Sequence, residues 1–146
     1  MNLTSSAFAN NESLPSKYTC DGDNVNPPLM WSEVPAGVKS FALIVDDPDA
    51  PSGDFVHWIM WNIPADSNSI EENSAPIGAV QGTTDFGSAK WGGPCPPSGA
   101  HHYQFQLFAL DALIDLSAAE GKGELEAAMS GHVLAAEKIT GIYQRR

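Results

Sequence analysis

The sequence has few basic residues. Seven Lys and Arg stand against 18 Asp and Glu, which gives a formal net charge of −11. A field of that sign repels polyanions, so we expect no nucleic-acid partner. It also disfavours adsorption to anionic lipid surfaces. Any anion site in this chain must therefore hold its ligand through local contacts.

Long apolar runs and a leader-like start are also missing. No stretch approaches the length of a membrane span, and the first residues lack the basic start and apolar segment of a secretory signal. We expect a cytoplasmic protein without membrane insertion. Two cysteines, Cys20 and Cys95, do not make a disulfide framework, so reduced thiols are the default expectation, although the sequence leaves a bond between them open.

The composition favours one β-rich domain. A chain of 146 residues fits a single domain, so we predict one domain over 1–146. The hydrophobic fraction of 42% is enough for a core. With 13 Gly and 11 Pro, the chain is typical of many short elements joined by turns.

Three segments carry strand patterns. Residues 41–45 form a short apolar run, and residues 57–63 are rich in β-formers and stop at Pro64. Residues 103–110 alternate at first and then become wholly apolar. The segment 64–100 is too long for a structureless loop, so we expect it to be functional or to contain short strands, with 79–81 a candidate.

The C-terminal part changes to a helical period. An apolar stripe predicts two short helices divided by Gly131. Residues 117–120 could form a capping box that opens this region, and residues 139–143 are predicted to be a last strand. His132, on the stripe, is interpreted as a core histidine. The stripe consists of Leu125, Met129, His132, Val133 and Ala136.

Polar residues cluster where strands end. The acidic turn 46–51 directly follows a strand, and its two prolines stiffen it. Alternatively, its Asp side chains only cap backbone N–H groups. Strand alternation places His57 on one face with Ile59 and Trp61, and gives His101 the face of Tyr103. The Gly- and Pro-rich loop 92–99 can present backbone N–H groups to an anion.

These motifs occur in an order that resembles a known family. Together they are similar to the phosphatidylethanolamine-binding proteins, also called Raf kinase inhibitor-like proteins, in their compact bacterial form. The resemblance covers residues 3–143. It implies a mainly β fold, with an antiparallel β-sandwich-like core and small peripheral and C-terminal helices. The motifs are Asn26-Pro27-Pro28-Leu29 with Trp31, Asp47-Pro48-Asp49-Ala50-Pro51, His57-Trp58, Gly93-Pro94-Cys95-Pro96-Pro97-Ser98-Gly99 and His101-His102-Tyr103.

The resemblance further implies a pocket for phosphate, acetate or phosphorylated head groups. Since these segments contain no Lys or Arg, we hypothesise that both imidazoles, backbone N–H groups of 95–98 and the Tyr103 hydroxyl donate to the anion. Asp47 would accept from one imidazole and raise its pKa. The expected anion-binding residues are Asp47, Asp49, His57, Gly93, Cys95, Pro96, Pro97, His101 and Tyr103.

We therefore predict a small ligand-binding protein, monomeric or homodimeric, with no cofactor, no metal and no catalytic residue. Relatives suggest a further role, the regulation of a protein partner such as a kinase or a protease. The alternative is a metal-assisted or acid–base hydrolase that uses the same Asp and His cluster. A third interpretation is an inhibitor that reads a phosphorylated residue of its partner and contacts it through 64–100.

Overall fold

The computed structural model describes residues 1–145 as a mainly β fold with two sheets. A six-stranded sheet has the order β2-β9-β8-β4-β5-β7, and a three-stranded sheet has the order β1-β3-β6. Pairing is antiparallel except between β2 and β9. The elements are β1 Asn2–Thr4, β2 Glu12–Ser13, a 3-10 helix Ser16–Tyr18, β3 Leu29–Ser32, β4 Ser40–Asp47, β5 Phe55–Pro64, β6 Ser69–Ile70, β7 Val80–Gln81, β8 His101–Leu110, α1 Lys122–Met129 and β9 Val133–Tyr143.

Two apolar clusters cover the two faces of the larger sheet. One joins it to the smaller sheet, where Trp31 packs against Phe41 with ring centroids 5.3 Å apart. The other lies on the opposite face, beneath Leu125 and Met129 of α1. Because β4 is buried along its whole length, its central residues 41–45 form a continuous apolar run. The predicted sandwich-like β fold is confirmed.

Four predicted strands occur, each within a longer element, and the last of them, 139–143, lies in β9. Residues 41–45 lie in β4, 57–63 in β5 and 103–110 in β8. The long segment 64–100 contains two short strands, β6 and β7, and the second of them overlaps the expected 79–81. Within residues 1–145, no helix is long and apolar enough to cross a membrane.

The second C-terminal helix was a wrong prediction. The helix ends at Met129, Gly131 has φ +83°, and the chain then pairs with β8 from Val133 onward. Cross-strand hydrogen bonds satisfy this backbone, so the helical spacing of Val133 and Ala136 is coincidental. His132 is not a core residue either. Its side chain is 47% exposed, and its Nδ1 lies 2.8 Å from a carboxylate oxygen of Asp111.

The start of α1 also differs from the expectation. Residues 117–120 form a turn before the helix, and Gly121 occupies the capping position. The Glu124 side chain reaches back and accepts a hydrogen bond from the Gly121 N–H at 3.1 Å. This contact supplies the carboxylate half of a capping box, four residues later than the sequence pattern suggested.

Candidate functional site

A cavity of about 270 Å³ lies where β4 ends and where β5 and β8 begin. Antiparallel pairing brings these three strand ends to one edge of the larger sheet. None of the described residues that line the cavity is Lys or Arg. They are Asp47, Ala50, Pro51, Ser52, Phe55, His57, Phe86, Cys95, Pro96, Pro97, His101 and Tyr103.

A β-bulge aims His57 into the cavity. The pairing register passes from Val45 opposite Trp58 to Asp46 opposite Val56, which makes His57 the extra residue. Its ring lies against Tyr103, with centroids 5.2 Å apart, and not with Ile59 and Trp61 in the cluster under α1. The expected face for His57 was therefore wrong, because a bulge breaks the period of two and re-aims the side chain.

The His57 imidazole is buried and held by the loop that follows Trp91. Its Nδ1 donates to the Gly92 carbonyl at 2.6 Å, and the Gly92 N–H donates to the His57 carbonyl at 3.1 Å. Burial lowers the pKa of His57 from its ordinary value of 6.5, and the Gly92 hydrogen bond opposes that shift only in part. His57 is therefore neutral at pH 7, with Nε2 as its second ring nitrogen.

Asp47 holds the second imidazole. Its Oδ2 lies 2.6 Å from Nδ1 of His101, and its Oδ1 accepts the Asp49 N–H at 2.8 Å. Both side chains are at least nine-tenths buried. This is the contact that the sequence hypothesis assigned to Asp47, and it fixes the donor role of the His101 Nδ1. The remaining ring nitrogen, Nε2, is left for a ligand.

Tyr103 neighbours both imidazoles. Its ring is 5.2 Å from that of His57 and 6.3 Å from that of His101, centroid to centroid. Burial, reinforced by the carboxylates of Asp47 and Asp49, raises the pKa of the Tyr103 hydroxyl. The hydroxyl therefore stays protonated at physiological pH and is a hydrogen-bond donor.

Two of the expected residues stand outside the lining that the described residues form. Asp49 faces His102, accepting from its backbone N–H at 2.9 Å and contacting its Nδ1 at 2.7 Å. These bonds lower the pKa of Asp49. Gly93 seats the loop: its N–H donates to Asn24 Oδ1 at 2.9 Å. Asp49 and Gly93 therefore position neighbouring parts of the chain and do not line the cavity.

The loop residues Cys95, Pro96 and Pro97 form one wall of the cavity. Because proline has no N–H, the backbone donors expected from 95–98 reduce to Cys95 and Ser98. Cys95 is bonded to Cys20, with a Cα–Cα distance of 5.5 Å. The expectation of reduced thiols was therefore wrong. The two cysteines lie 75 residues apart in sequence, and only the fold brings them together.

Sequence reasoning missed the two phenylalanines of the cavity, Phe55 and Phe86. Phe86 contacts both Phe55 and His57, with ring centroids 4.9 and 5.3 Å apart. It lies outside the strands, so no periodicity marks it. The fold leaves room for its ring at Gly92, where a Cβ would lie 2.3 Å from it. Within residues 1–145, no group of three or more His, Cys, Asp or Glu is arranged to hold a metal ion.

Comparison with known proteins places this arrangement in a family. The family model described as phosphatidylethanolamine-binding protein matches residues 4–144. A UPF0098 protein of Methanothermobacter thermautotrophicus is 50% identical over 99% of both chains. Another, from Pyrococcus horikoshii, is 47% identical over 97% of this chain and 76% of its own length.

Two solved structures share the fold. A phosphatidylethanolamine-binding protein homologue of Chlamydia trachomatis superimposes with a TM-score of 0.94 at 37% identity, over 99% of this chain and 97% of its own. Escherichia coli YbcL, described as a member of the mammalian family, gives a TM-score of 0.93 at 36% identity, over 99% and 98%. The sequence match and the shared fold agree, and the chain belongs to the phosphatidylethanolamine-binding protein family.

Proposed function

We propose that this protein binds a small ligand through a phosphate-like anionic group in the cavity of His57 and His101. The observation that carries the proposal is that two buried imidazoles and the ring of Tyr103, which neighbours both, line one cavity next to solvent-exposed loop residues. A fixed pair of ring nitrogens and one hydroxyl donor suits an oxyanion better than an apolar ligand.

The ring contacts determine how the anion would be held. Each Nδ1 is committed to a protein acceptor, so each Nε2 is left for the ligand. A protonated ring donates through Nε2, and that charge-assisted bond contributes about 1.5–3 kcal/mol, against roughly half for a neutral one. The Nε2 of a neutral His57 can instead accept a hydrogen bond from a protonated ligand oxygen, such as the O–H of a phosphate monoanion. We expect weak binding at neutral pH.

The apolar residues of the cavity indicate which chemical group is attached to the anionic part of the ligand. Phe55, Phe86, Pro96 and Pro97 surround the polar centre, and a volume of about 270 Å³ admits a head group or one side chain beside a phosphate. Phosphorylated head groups and phosphorylated residues are therefore the ligand class we propose. Regulation of a kinase or protease partner would use the same site, with the ligand on the partner.

Sulfate titration at several pH values tests the proposal, because the charge of sulfate stays constant where histidine titrates. We expect affinity to rise as the pH falls through 6.5, the ordinary histidine value. The lowered pKa of His57 extends that rise further into acid. His57→Ala and His101→Ala should each lose most binding in NMR or calorimetric titrations.

His132→Ala is the matched control, since His132 is an exposed histidine paired with Asp111 outside the cavity. It should bind sulfate like the wild type. Affinity that stays flat across pH, or wild-type binding by both pocket variants, would remove the histidines from the site.

A hydrolase remains the second candidate, and one contact favours it. The 2.6 Å hydrogen bond between buried Asp47 and His101 is the arrangement by which a carboxylate orients a general base. A screen of phosphoesters with the wild type and His101→Ala distinguishes the two functions. Turnover that disappears in the variant would favour the enzyme, and its absence for every substrate would favour the binding protein.

A further inference from the structure

The disulfide between Cys20 and Cys95 connects one wall of the cavity to a neighbouring turn. Cys95 lines the cavity, whereas Cys20 belongs to the turn 19–24, outside the lining formed by the described residues. Both residues are exposed to solvent. A bond that reaches the surface and abuts a ligand site differs from the usual structural disulfide, which is shielded from thiols.

The wall has little other support from regular structure. In the described part of the chain, the stretch 92–100 contains neither helix nor strand. Two hydrogen bonds tie its first half to the same turn: Cys20 N–H to the Pro94 carbonyl at 3.1 Å, and Gly93 N–H to Asn24 Oδ1 at 2.9 Å. Residues 95–97, which face the ligand, come after these anchors and depend on the covalent bond.

We propose that the Cys20–Cys95 disulfide is a redox switch on the pocket. With the bond closed, the wall of Cys95, Pro96 and Pro97 is held in place and the ligand binds. With the bond reduced, the wall loosens and affinity falls, since a preformed wall spares the ligand the entropy of ordering it. This inference rests on the anion-binding function proposed above, and it adds the regulation of that site.

The chemistry requires an external dithiol reductant. A thiolate of the reductant attacks one of the two disulfide sulfurs, which breaks the S–S bond and forms a mixed disulfide. The second thiol of the reductant then attacks that mixed disulfide. The products are the thiols of Cys20 and Cys95 and the oxidised, cyclic form of the reductant, so two electrons pass to the protein. In a cytoplasm rich in such dithiols, the bond would be made and broken rather than permanent.

The test compares sulfate binding at pH 6 in the oxidised wild type, the reduced wild type and Cys20→Ser. We expect reduction to weaken sulfate binding about tenfold, and reoxidation to restore it. Cys20→Ser keeps Cys95 in the wall, so its affinity should match that of the reduced protein and should not respond to reductant. Hydrogen exchange of the Cys20 and Gly93 amides, whose hydrogen bonds join the turn to the loop, supplies a readout that needs no ligand, and it should become faster on reduction.

Three results would overturn the switch: equal affinity of the oxidised and reduced wild type, unchanged exchange of the Cys20 and Gly93 amides, or loss of the whole fold on reduction, seen by near-ultraviolet circular dichroism. If even the oxidised protein binds no sulfate at any pH, the anion-binding proposal fails instead. Faster exchange on reduction would then still support redox control of the wall.

Discussion

Replacing Gly93 by Ala should unseat the pocket loop without touching a ligand-lining side chain. A Cβ at this position would lie 2.2 Å from Asn24 Oδ1, 2.5 Å from the Tyr18 carbonyl oxygen and 3.0 Å from the Thr19 Cα. Two of these neighbours are backbone atoms, which cannot rotate away, and the third is the acceptor of the Gly93 N–H. Overpacking of this kind costs about 1–3 kcal/mol, and the lost hydrogen bond adds about 1. The expected destabilisation is therefore about 2–4 kcal/mol.

Urea unfolding of the oxidised protein at pH 7 measures this cost by linear extrapolation. Gly99→Ala is the matched control in the same loop, because its Cβ would meet no heavy atom of the described structure within 4 Å. Its φ of +70° still disfavours alanine, at a cost of about 1 kcal/mol. Sulfate affinity should fall further in Gly93→Ala than in the control. A Gly93→Ala protein as stable as the wild type, or no more affected than Gly99→Ala, would refute the clash argument.

Three further outcomes are expected. Burial raises the pKa of Asp46 to about 6, against bonds from Lys122 that lower it, so the stability tied to its protonated form is lost as the pH rises through 6. As the pH rises from 4 to 8, the unfolding free energy of the wild type, measured in urea, should therefore fall by about 2–3 kcal/mol relative to that of Asp46→Asn. A rise relative to the variant would contradict this prediction. Reduction of the Cys20–Cys95 bond, which spans 75 residues, should lower the unfolding free energy by about 4 kcal/mol on the chain-entropy model, and a loss below about 1 would reject that model here. The lowered pKa of His57 means that its stabilising contribution, present above pH 6.5, is lost as the pH falls through the folded-state value, so His57→Asn should be less acid-sensitive than the wild type in denaturant melts.

The strands were predictable because short apolar runs and strict alternation of polar and apolar residues are typical of strands and fit few other structures. β4, β5 and β8 each contain the segment that the pattern identified. The helical stripe failed at Val133, because spacing alone does not show which partner will satisfy the backbone. From Val133 onward, the chain forms a long strand paired with β8, although its apolar residues recur with the helical period of 3.6.

The site was predictable in part for a related reason. His101 and Tyr103 share a regular strand, so alternation places them together on one side of it. His57 lies in a bulge, and Phe86 reaches the cavity from a loop. Neither position follows from any period. The disulfide likewise depends on two loops meeting in space, which the spacing of two cysteines does not reveal.

The bulge at His57 divides one strand into two regions that tolerate different changes. Beyond it, Ile59, Met60, Trp61 and Ile63 pack in the two apolar clusters, and a designer can exchange them for others of similar volume. Asn62 is the exception, because its side-chain amide bonds both the N–H and the carbonyl of Ile114. At the bulge, the insertion or deletion of one residue changes which side chain points into the cavity. Deleting Val56 would remove this bulge and turn the imidazole of position 57 toward the apolar cluster under α1. Insertions and deletions here should therefore be tolerated far less than substitutions.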